Sequence, residues 1–192
     1  MAIENKLIII TAPSGAGKTS ITRYLLKKFP DQLTFSISAT TRTARANEKN
    51  GTDYYFISES EFKQKIQNNE FVEWEMVYEG KYYGTLKSEL QKSWNEHKIP
   101  LLDIDVKGAI HVKQKYSSSS LTLFVEPPSI EELKNRLSSR GTESIESLQA
   151  RINKASFELS FKDHFHHPIL NDKLQRACEE AEKIVRQFLD SK

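Results

Sequence analysis

The sequence is poor in cysteine, in long apolar runs and in excess charge of one sign. A single cysteine among 192 residues cannot form an internal disulfide framework, and 28 Lys and Arg against 26 Asp and Glu leave a net charge of only +2. No apolar run approaches the ~20 residues of a membrane span, and the first residues lack the layout of a signal peptide. We therefore expect a cytoplasmic protein with a hydrophobic core, a small ligand, and neither a membrane nor a nucleic acid as partner.

The residue types that often mark reactive or metal sites give little support for such a site here. Cys178 lies in the helical pattern "LQRACEEAEKIVRQFL" and is interpreted as a structural residue. His164, His166 and His167 are close together, but their spacing fits no compact zinc site and no second pair of ligands accompanies them. The chemistry has to be sought in other segments.

Strand and helix patterns alternate along the chain. "LIIIT" is a short β-branched run typical of a strand buried on both faces, and "TSITRYLLKKF" after it has helical spacing. "IPLLDID" and "LTLFVE" are further strand candidates followed by helical patterns, and "HPIL" is a candidate edge strand because it contains Pro168. This alternation predicts an α/β fold with a parallel sheet flanked by helices.

One stretch interrupts the alternation. Between the first helix and "IPLLDID" the chain is rich in Tyr, Thr and Trp, with Asn50-Gly51 as a turn and "DYYFI", "FVEWEMVY" and "KYYG" as short strand candidates. We interpret residues 35–90 as an inserted, mainly β subdomain. The core of the single domain would then consist of residues 1–34 and 91–192.

The segment "APSGAGKT" lies between the first strand and the first helix. It matches the phosphate-binding pattern G-x-x-x-x-G-K-[ST], except that Ala12 replaces the first glycine. Lys18 can reach the β- and γ-phosphates of a nucleotide, and the Thr19 hydroxyl can ligate Mg²⁺. At a strand end the methyl group of Ala12 adds little bulk, so we expect a working ATP site. Its predicted residues are Ala12, Pro13, Ser14, Gly15, Ala16, Gly17, Lys18 and Thr19.

Five further segments carry the remaining candidate residues. They are "SISATTRTARANEKNGTDYY", "EWEMVYEGKYYGT", "LLDID", "PPSIEELKNRLSSRGT" and "ILND". In this order, and over nearly the whole chain, they resemble the acceptor-binding segment, the E-W and Y-Y-G-[ST] stretch, the D-x-D strand end, the lid and the adenine-side loop of guanylate kinases. The resemblance implies a P-loop NTPase-type core with a nucleoside-monophosphate-binding insert and a helical lid at about 136–151.

The resemblance also implies roles for the matching residues. GMP would be bound by Ser38, Arg42, Arg45, Tyr54, Glu73, Tyr83, Gly84, Thr85, Asp103 and Asp105. Charge on the transferring group would be stabilised by Lys18, Arg136, Arg140 and Arg151. Asn171 would lie on the adenine side, and Thr19 with Asp103 would ligate Mg²⁺, although the division of roles between Asp103 and Asp105 stays open.

The chemistry of two of these residue types supports the implied roles. The planar forks of Arg42 and Arg45 suit a phosphate dianion, and the carboxylate of Glu73 accepts hydrogen bonds, as the adjacent N–H donors of guanine require. Taken alone, two arginines three residues apart are also common on a solvated face, and Glu73 beside Trp74 could simply point out of a sheet. The order of the motifs favours a binding site.

The implied reaction is Mg²⁺-dependent transfer of the γ-phosphoryl group of ATP to GMP or dGMP, in purine nucleotide metabolism and GMP recycling, with no obligate protein partner. Two alternatives remain. One is a guanylate kinase-like module that has lost catalysis and binds a phosphopeptide, which the intact Lys18 and arginines argue against. The other is a kinase of phosphorylated sugars, which would not need Glu73 together with Ser38.

The replacement at position 12 leads to a first prediction. Ala12→Gly should change the affinity for ATP by less than about tenfold, or ~1.4 kcal/mol, because Gly15, Gly17 and Lys18 already stand where the phosphates need them. Equilibrium titration of both proteins with ATP measures the change. A gain of several hundredfold would show that the natural loop is impaired.

Overall fold

The computed structural model describes residues 5–138 and 145–191. Its first sheet has five parallel strands in the order β2-β7-β1-β8-β9. These strands are β1 (Leu7–Thr11), β2 (Leu33–Phe35), β7 (Ile99–Asp103), β8 (Ser120–Glu126) and β9 (His167–Leu170). β1 lies in the centre and is buried along its whole length, which accounts for the unbroken apolar run "LIIIT". Pro168 lies in the edge strand β9, as its sequence context predicted.

Four helices cover the two faces of this sheet. Helices α1 (Lys18–Lys28) and α7 (Leu174–Asp190) pack on one face, and α3 (Lys87–Asn95) and α4 (Val106–Lys115) pack on the other. Each face has its own buried cluster, centred on Ile8 and Ile10 on one side and on Ile9 and Leu102 on the other. The three-layer arrangement confirms the predicted α/β fold class. In the described part of the chain, no helix is both long and apolar enough to cross a membrane.

A second sheet lies beside the first and has the order β4-β3-β6-β5. Its strands are β3 (Ser38–Thr40), β4 (Tyr55–Phe56), β5 (Phe71–Tyr78) and β6 (Lys81–Leu86). Helix α2 (Glu59–Gln67) supplies Phe62, which is fully buried and stacks on Phe71 with 4.5 Å between ring centroids. Two further helices, α5 (Ile130–Ser138) and α6 (Ile145–Leu159), pack together through Leu133, Leu137 and Ala155.

Several of these elements, among them β2, β3 and α2, were not predicted from the sequence. β2 and β3 have three residues each, too few to show a strand periodicity. β2 ends at the first residue of the stretch interpreted as mainly β, and β3 lies within it. That stretch also contains α2 and the start of α3. Cys178 is buried in the core between α7 and the first sheet, in agreement with its structural interpretation.

The two-faced core leads to a stability prediction. Phe124 is fully buried in β8 and stacks on Phe165, whereas the side chain of Phe157 on α6 is 55% exposed. Phe124→Ala should lower the free energy of unfolding by about 3–5 kcal/mol, because it removes apolar contacts and leaves a cavity. The matched variant Phe157→Ala should cost less than about 1 kcal/mol. Denaturant unfolding measures both, and equal losses would contradict this account of the core.

Candidate active site

The phosphate loop connects β1 to α1 and owes its shape to two glycines. Gly15 and Gly17 have φ values of +93° and +98°, a left-handed conformation that other residues rarely adopt. A Cβ atom on Gly15 would lie 2.9 Å from a side-chain carbon of Leu137, and one on Gly17 would lie 2.2 Å from Nδ2 of Asn171. Both the backbone conformation and the surrounding packing therefore require glycine at these positions.

The other two small residues of the loop are buried. Ala12 is 5% exposed and Ala16 is fully buried, and the Asn171 side chain donates a 2.7 Å hydrogen bond to the Ala16 carbonyl. Ala12 lines the site cavity, but Ala16 and Asn171 do not. The amide of Asn171 thus supports the loop from inside the protein, and the placement of Asn171 on the adenine side that the resemblance implied stays a prediction.

Lys18, at the start of α1, contacts the end of β7. Its ammonium lies 2.7 Å from Asp103 and donates a 2.8 Å hydrogen bond to the Ile104 carbonyl. Burial alone would lower the pKa of Lys18, but the charge and the hydrogen bond of Asp103, together with Tyr54 and Asp105, outweigh it and the pKa is raised. The Thr19 hydroxyl donates to the second oxygen of Asp103 at 3.2 Å. The Lys18 ammonium, the Thr19 hydroxyl and the Asp103 carboxylate therefore lie together at the mouth of the loop.

A cavity of about 470 Å³ opens at the carboxyl ends of β1 and β7 and extends to the second sheet and α6. This is the usual place for a ligand in an open parallel sheet. Most of the predicted site residues line it. From the loop these are Ala12, Pro13, Ser14, Gly15, Gly17, Lys18 and Thr19, and from elsewhere they are Ser38, Arg42, Arg45, Tyr54, Glu73, Tyr83, Gly84, Asp103, Asp105 and Arg151.

Arg42 forms the centre of a polar cluster on one wall of the cavity. Both terminal nitrogens donate to the Glu48 carboxylate, at 2.6 and 2.7 Å, and Nε donates to the Tyr83 hydroxyl at 3.1 Å. The hydrogen bond from Arg42 holds the pKa of Glu48 below its usual value. The guanidinium carbon also lies 5.0 Å from the centre of the Tyr54 ring, and the mostly exposed Arg45 reaches the same carboxylate at 3.8 Å.

Glu73 lies on β5 and is only 7% exposed. It faces Thr85 across the β5/β6 ladder, and the Thr85 hydroxyl donates to Oε1 of Glu73 at 2.6 Å. Thr85 is fully buried and does not line the cavity, so its hydroxyl holds Glu73 where a contact with the guanine carbonyl had been expected. Burial raises the pKa of Glu73 to about 7, despite the hydrogen bond from Thr85.

The two aspartates at the end of β7, Asp103 in the strand and Asp105 just after it, make contacts in different parts of the cavity. Asp103 contacts the phosphate loop, whereas Asp105 caps α4 by accepting a 2.9 Å hydrogen bond from the Gly108 N–H. Asp105 also lies near Glu73, and its negative charge adds to the rise in the pKa of Glu73. The contacts of Asp103 and Asp105 therefore differ, although nothing in the sequence distinguished their roles.

The arginines of α5 and α6 differ in placement. Arg151 on α6 donates to the Ser14 hydroxyl in the phosphate loop and lines the cavity. Arg136 on α5 does not line the cavity; it pairs with Glu132 and donates to the Asn171 carbonyl at 3.0 Å. Arg140, the third predicted member, lies outside the described residues.

Several residues of this site were not predicted from the sequence, and three of them make specific polar contacts. Glu48 holds Arg42, and Lys154 and Glu158 line the cavity from α6. Lys154 donates to the Val77 carbonyl of β5 at 3.1 Å and lies 3.6 Å from Glu158. Lys154 and Glu158 follow Arg151 by three and seven residues, a spacing that places all three on one helix face and could have revealed them.

Comparison with known proteins agrees with this geometry. A sequence model of the family described as guanylate kinase matches residues 4–188. The guanylate kinase of Porphyromonas gingivalis is 47% identical over 184 residues, which cover 96% of this chain and 98% of that protein. The chain belongs to the guanylate kinase family.

Other guanylate kinases are similar over comparable lengths. The Bacteroides fragilis guanylate kinase is 46% identical over 186 residues, covering 97% of this chain and 91% of that protein. The crystal structure of guanylate kinase from Anaplasma phagocytophilum, 28% identical, superimposes with a TM-score of 0.79 and covers 97% of this chain and 87% of that chain. The predicted fold class and family resemblance are both confirmed.

The buried carboxylate of Glu73 in this guanylate kinase family member makes stability depend on pH. Because its pKa rises from 4.5 to about 7 on folding, the folded state holds the proton more tightly. The stability that this proton confers is complete below pH 4.5 and is lost as the pH rises through 7. Glu73→Gln removes the effect, so the variant should gain on the order of 3 kcal/mol relative to wild type between pH 4.5 and 8.

Denaturant unfolding of both proteins across this pH range measures the difference. Subtracting the two curves cancels the contributions of the other titrating groups. A difference that stays flat with pH would show that Glu73 is not strained by burial.

Proposed function

We propose that the protein transfers the γ-phosphoryl group of ATP to GMP or dGMP, giving ADP and GDP. The observation that carries this proposal is that one cavity contains both the phosphate loop and the buried carboxylate of Glu73. The similarity to proteins named guanylate kinase supports it. A role in purine nucleotide metabolism and GMP recycling follows from this reaction. The cytoplasmic location expected from the sequence stays a prediction.

In this proposal, Glu73 recognises the guanine base through hydrogen bonds. Its ionised form can only accept hydrogen bonds, which fits the adjacent ring N–H and exocyclic amine of guanine and opposes the unprotonated ring nitrogen of adenine. Thr85 orients the carboxylate through one oxygen. Ser38 lines the cavity from β3, the strand on the other side of β6, and is positioned to donate toward the guanine carbonyl.

The GMP phosphate binds at the polar cluster around Arg42. Arg42 and Arg45 supply charge and the hydroxyls of Tyr54 and Tyr83 supply directional donors, all along the cavity wall. Arginine suits this task because its planar fork can make two parallel hydrogen bonds to a phosphate. Glu48 accepts two hydrogen bonds from the fork of Arg42, so in this proposal the phosphate competes with that carboxylate for the guanidinium.

The ATP phosphates bind at the loop and the N-terminus of α1. Backbone N–H groups of Ser14, Gly15 and Gly17 and the positive end of the helix neutralise them, and Lys18 turns from Asp103 toward the β- and γ-phosphates. The Thr19 hydroxyl and Asp103 carboxylate, with oxygens 3.2 Å apart, fit the preference of Mg²⁺ for a few protein oxygens beside phosphate and water. Such an ion supplies positive charge to the transferring group. Asp105, farther from the loop, belongs to the base pocket.

The transfer itself needs little from acid or base catalysis. An oxygen of the GMP phosphate attacks the γ-phosphorus, and the bond to the β–γ bridging oxygen breaks, so that ADP leaves with the electron pair. The attacking oxygen is already an anion and needs no general base. Alignment and positive charge therefore provide the rate enhancement, the charge coming from Lys18, Arg151 and the lid. Arg136 acts through its contact with the Asn171 carbonyl.

Closure around both nucleotides excludes water. We assign the GMP-binding insert to residues 35–90 and the lid to about 136–151, with the rest of the chain as the core. The hydrogen bond from Lys154 of α6 to the Val77 carbonyl of β5 joins the helix that contains the end of the lid to the second sheet. Contacts of this kind suppress the hydrolysis of ATP when the acceptor is bound.

A coupled assay tests the proposed reaction directly. ATP is offered with GMP, AMP, CMP or UMP separately, and ADP release should depend on GMP. Lys18→Ala should lower turnover about a hundredfold or more in a folded protein, because it removes charge from the transferring group. A folded wild-type protein that releases no ADP with GMP would overturn the proposal, and binding of GMP without turnover would favour the inactive module.

Base selection gives a second, sharper test. Glu73→Gln should cost about 2–4 kcal/mol of transition-state binding for GMP, because a charge-assisted hydrogen bond is lost and the amide is imperfectly paired. AMP should lose far less. The ratio of kcat/KM for GMP over AMP should therefore shrink about 30-fold or more. An unchanged ratio in the folded variant would mean that Glu73 does not contact the base.

A further inference from the structure

Helix α4 approaches β5 with a glycine directly opposite the Glu73 carboxylate. A Cβ atom on Gly108 would lie 2.6 Å from Oε2 and 3.1 Å from Cδ of Glu73, and 2.9 Å from Oδ1 of Asp105. Real Cβ atoms do not approach other atoms this closely. The space that any other residue would fill at position 108 is thus the space that the carboxylate occupies.

The backbones on both sides of this contact are held in place. Glu73 is paired with Thr85 in the β5/β6 ladder, and the Gly108 N–H donates to the Asp105 side chain that caps α4. The carboxylate, in contrast, is the end of a flexible side chain held at 2.6 Å by the Thr85 hydroxyl. A methyl group at position 108 would therefore displace the carboxylate more readily than either backbone.

Helix formation gives no reason for glycine at this position. Gly108 is in the first turn of α4 and its φ does not lie in the left-handed region, so its conformation is open to every residue type. Alanine is the best helix former and glycine among the poorest. The local structure alone would favour alanine, and the approach of Glu73 is what opposes it.

We propose that Gly108 is a specificity-determining position of the base pocket, because its lack of a side chain lets Glu73 present its carboxylate to both N–H donors of guanine. This inference rests on the proposed function, since Glu73 must read the base. Gly108 acts through the side chains that a Cβ atom there would meet, Glu73 and the adjoining Asp105, and is a positioning residue. Its substitution should alter base discrimination while leaving the donor site intact.

Binding of GMP, IMP and ATP to wild type and Gly108→Ala tests the proposal. IMP lacks the exocyclic amine of guanine and so loses only one hydrogen bond when the carboxylate is displaced. The variant should bind GMP about tenfold or more weakly, the GMP-over-IMP ratio should fall about threefold or more, and ATP affinity should stay within about twofold. Its Tm should be no more than about 3 °C below that of wild type, since alanine favours the helix.

Lys107→Ala is the matched control. It replaces the neighbouring, exposed residue in the same turn and also favours the helix, both through alanine and by removing a cation from the positive helix end. It should leave the GMP-over-IMP ratio unchanged. An equal fall in both variants would assign the effect to the helix and overturn the proposal.

A double variant separates contact with Glu73 from other causes. Aspartate is shorter by one methylene, so Glu73→Asp makes room for the methyl group, and Gly108→Ala should then weaken GMP binding less than about threefold in that background. A loss as large as in the wild-type background would overturn the proposal. If the single variant Gly108→Ala does not fold, the double variant Gly108→Ala with Glu73→Ala should fold, because the clashing carboxylate is gone. If neither variant folds, the clash does not involve Glu73 and the proposal is overturned. Wild type that fails to bind GMP would contradict the proposed function instead.

Discussion

The ion pair between Lys18 and Asp103 joins the two halves of the candidate site. Lys18 begins α1 and Asp103 ends β7, and they meet because β1 and β7 are neighbouring parallel strands with Ile10 paired to Asp103. A buried cation or carboxylate alone would be strongly unfavourable, so each requires the other. The pair keeps positive charge and oxygen ligands at the mouth of the loop before any nucleotide arrives. The order of strands in the first sheet is therefore a condition of the chemistry.

The central elements of the fold could be predicted because their signals are local. β1, β7 and β8 are apolar runs with helical patterns after them, and the phosphate loop has a fixed spacing of glycine, lysine and threonine. β2 and β3 could not be predicted, since their strand structure comes from pairing with other parts of the chain, β2 with β7 and β3 with β4 and β6. Short strands of this kind carry almost no periodicity of their own.

The candidate site shows the same division. Residue types with one clear chemical use, such as Lys18 and Glu73, could be chosen from the sequence. Their supporting partners could not, because a supporting partner is defined by a contact in space. Asn171 supports the loop from inside, Thr85 holds Glu73, and Glu48 holds Arg42. Sequence reasoning gave Asn171 and Thr85 direct ligand contacts for the same reason.

The cavity contains two buried carboxyl groups that destabilise the fold. Glu73 and Glu158 are both nearly fully buried, and burial raises the pKa of each carboxyl group. Apolar residues of similar size would stabilise the protein more. A ligand that supplied matching hydrogen-bond donors would offset the cost of burying these carboxylates, so both groups would add to the affinity for such a ligand.

The contact between Glu48 and Arg42 has a consequence for ligand choice. The carboxylate is a tethered anion that mimics a phosphate and is always available to the guanidinium fork at a high local concentration. In the proposed function, a dianion that also reaches Tyr54 and Tyr83 has to compete with this carboxylate for Arg42. A nucleoside or a free base carries no phosphate and would gain nothing from this part of the cavity, so the contact favours ligands that carry the dianion.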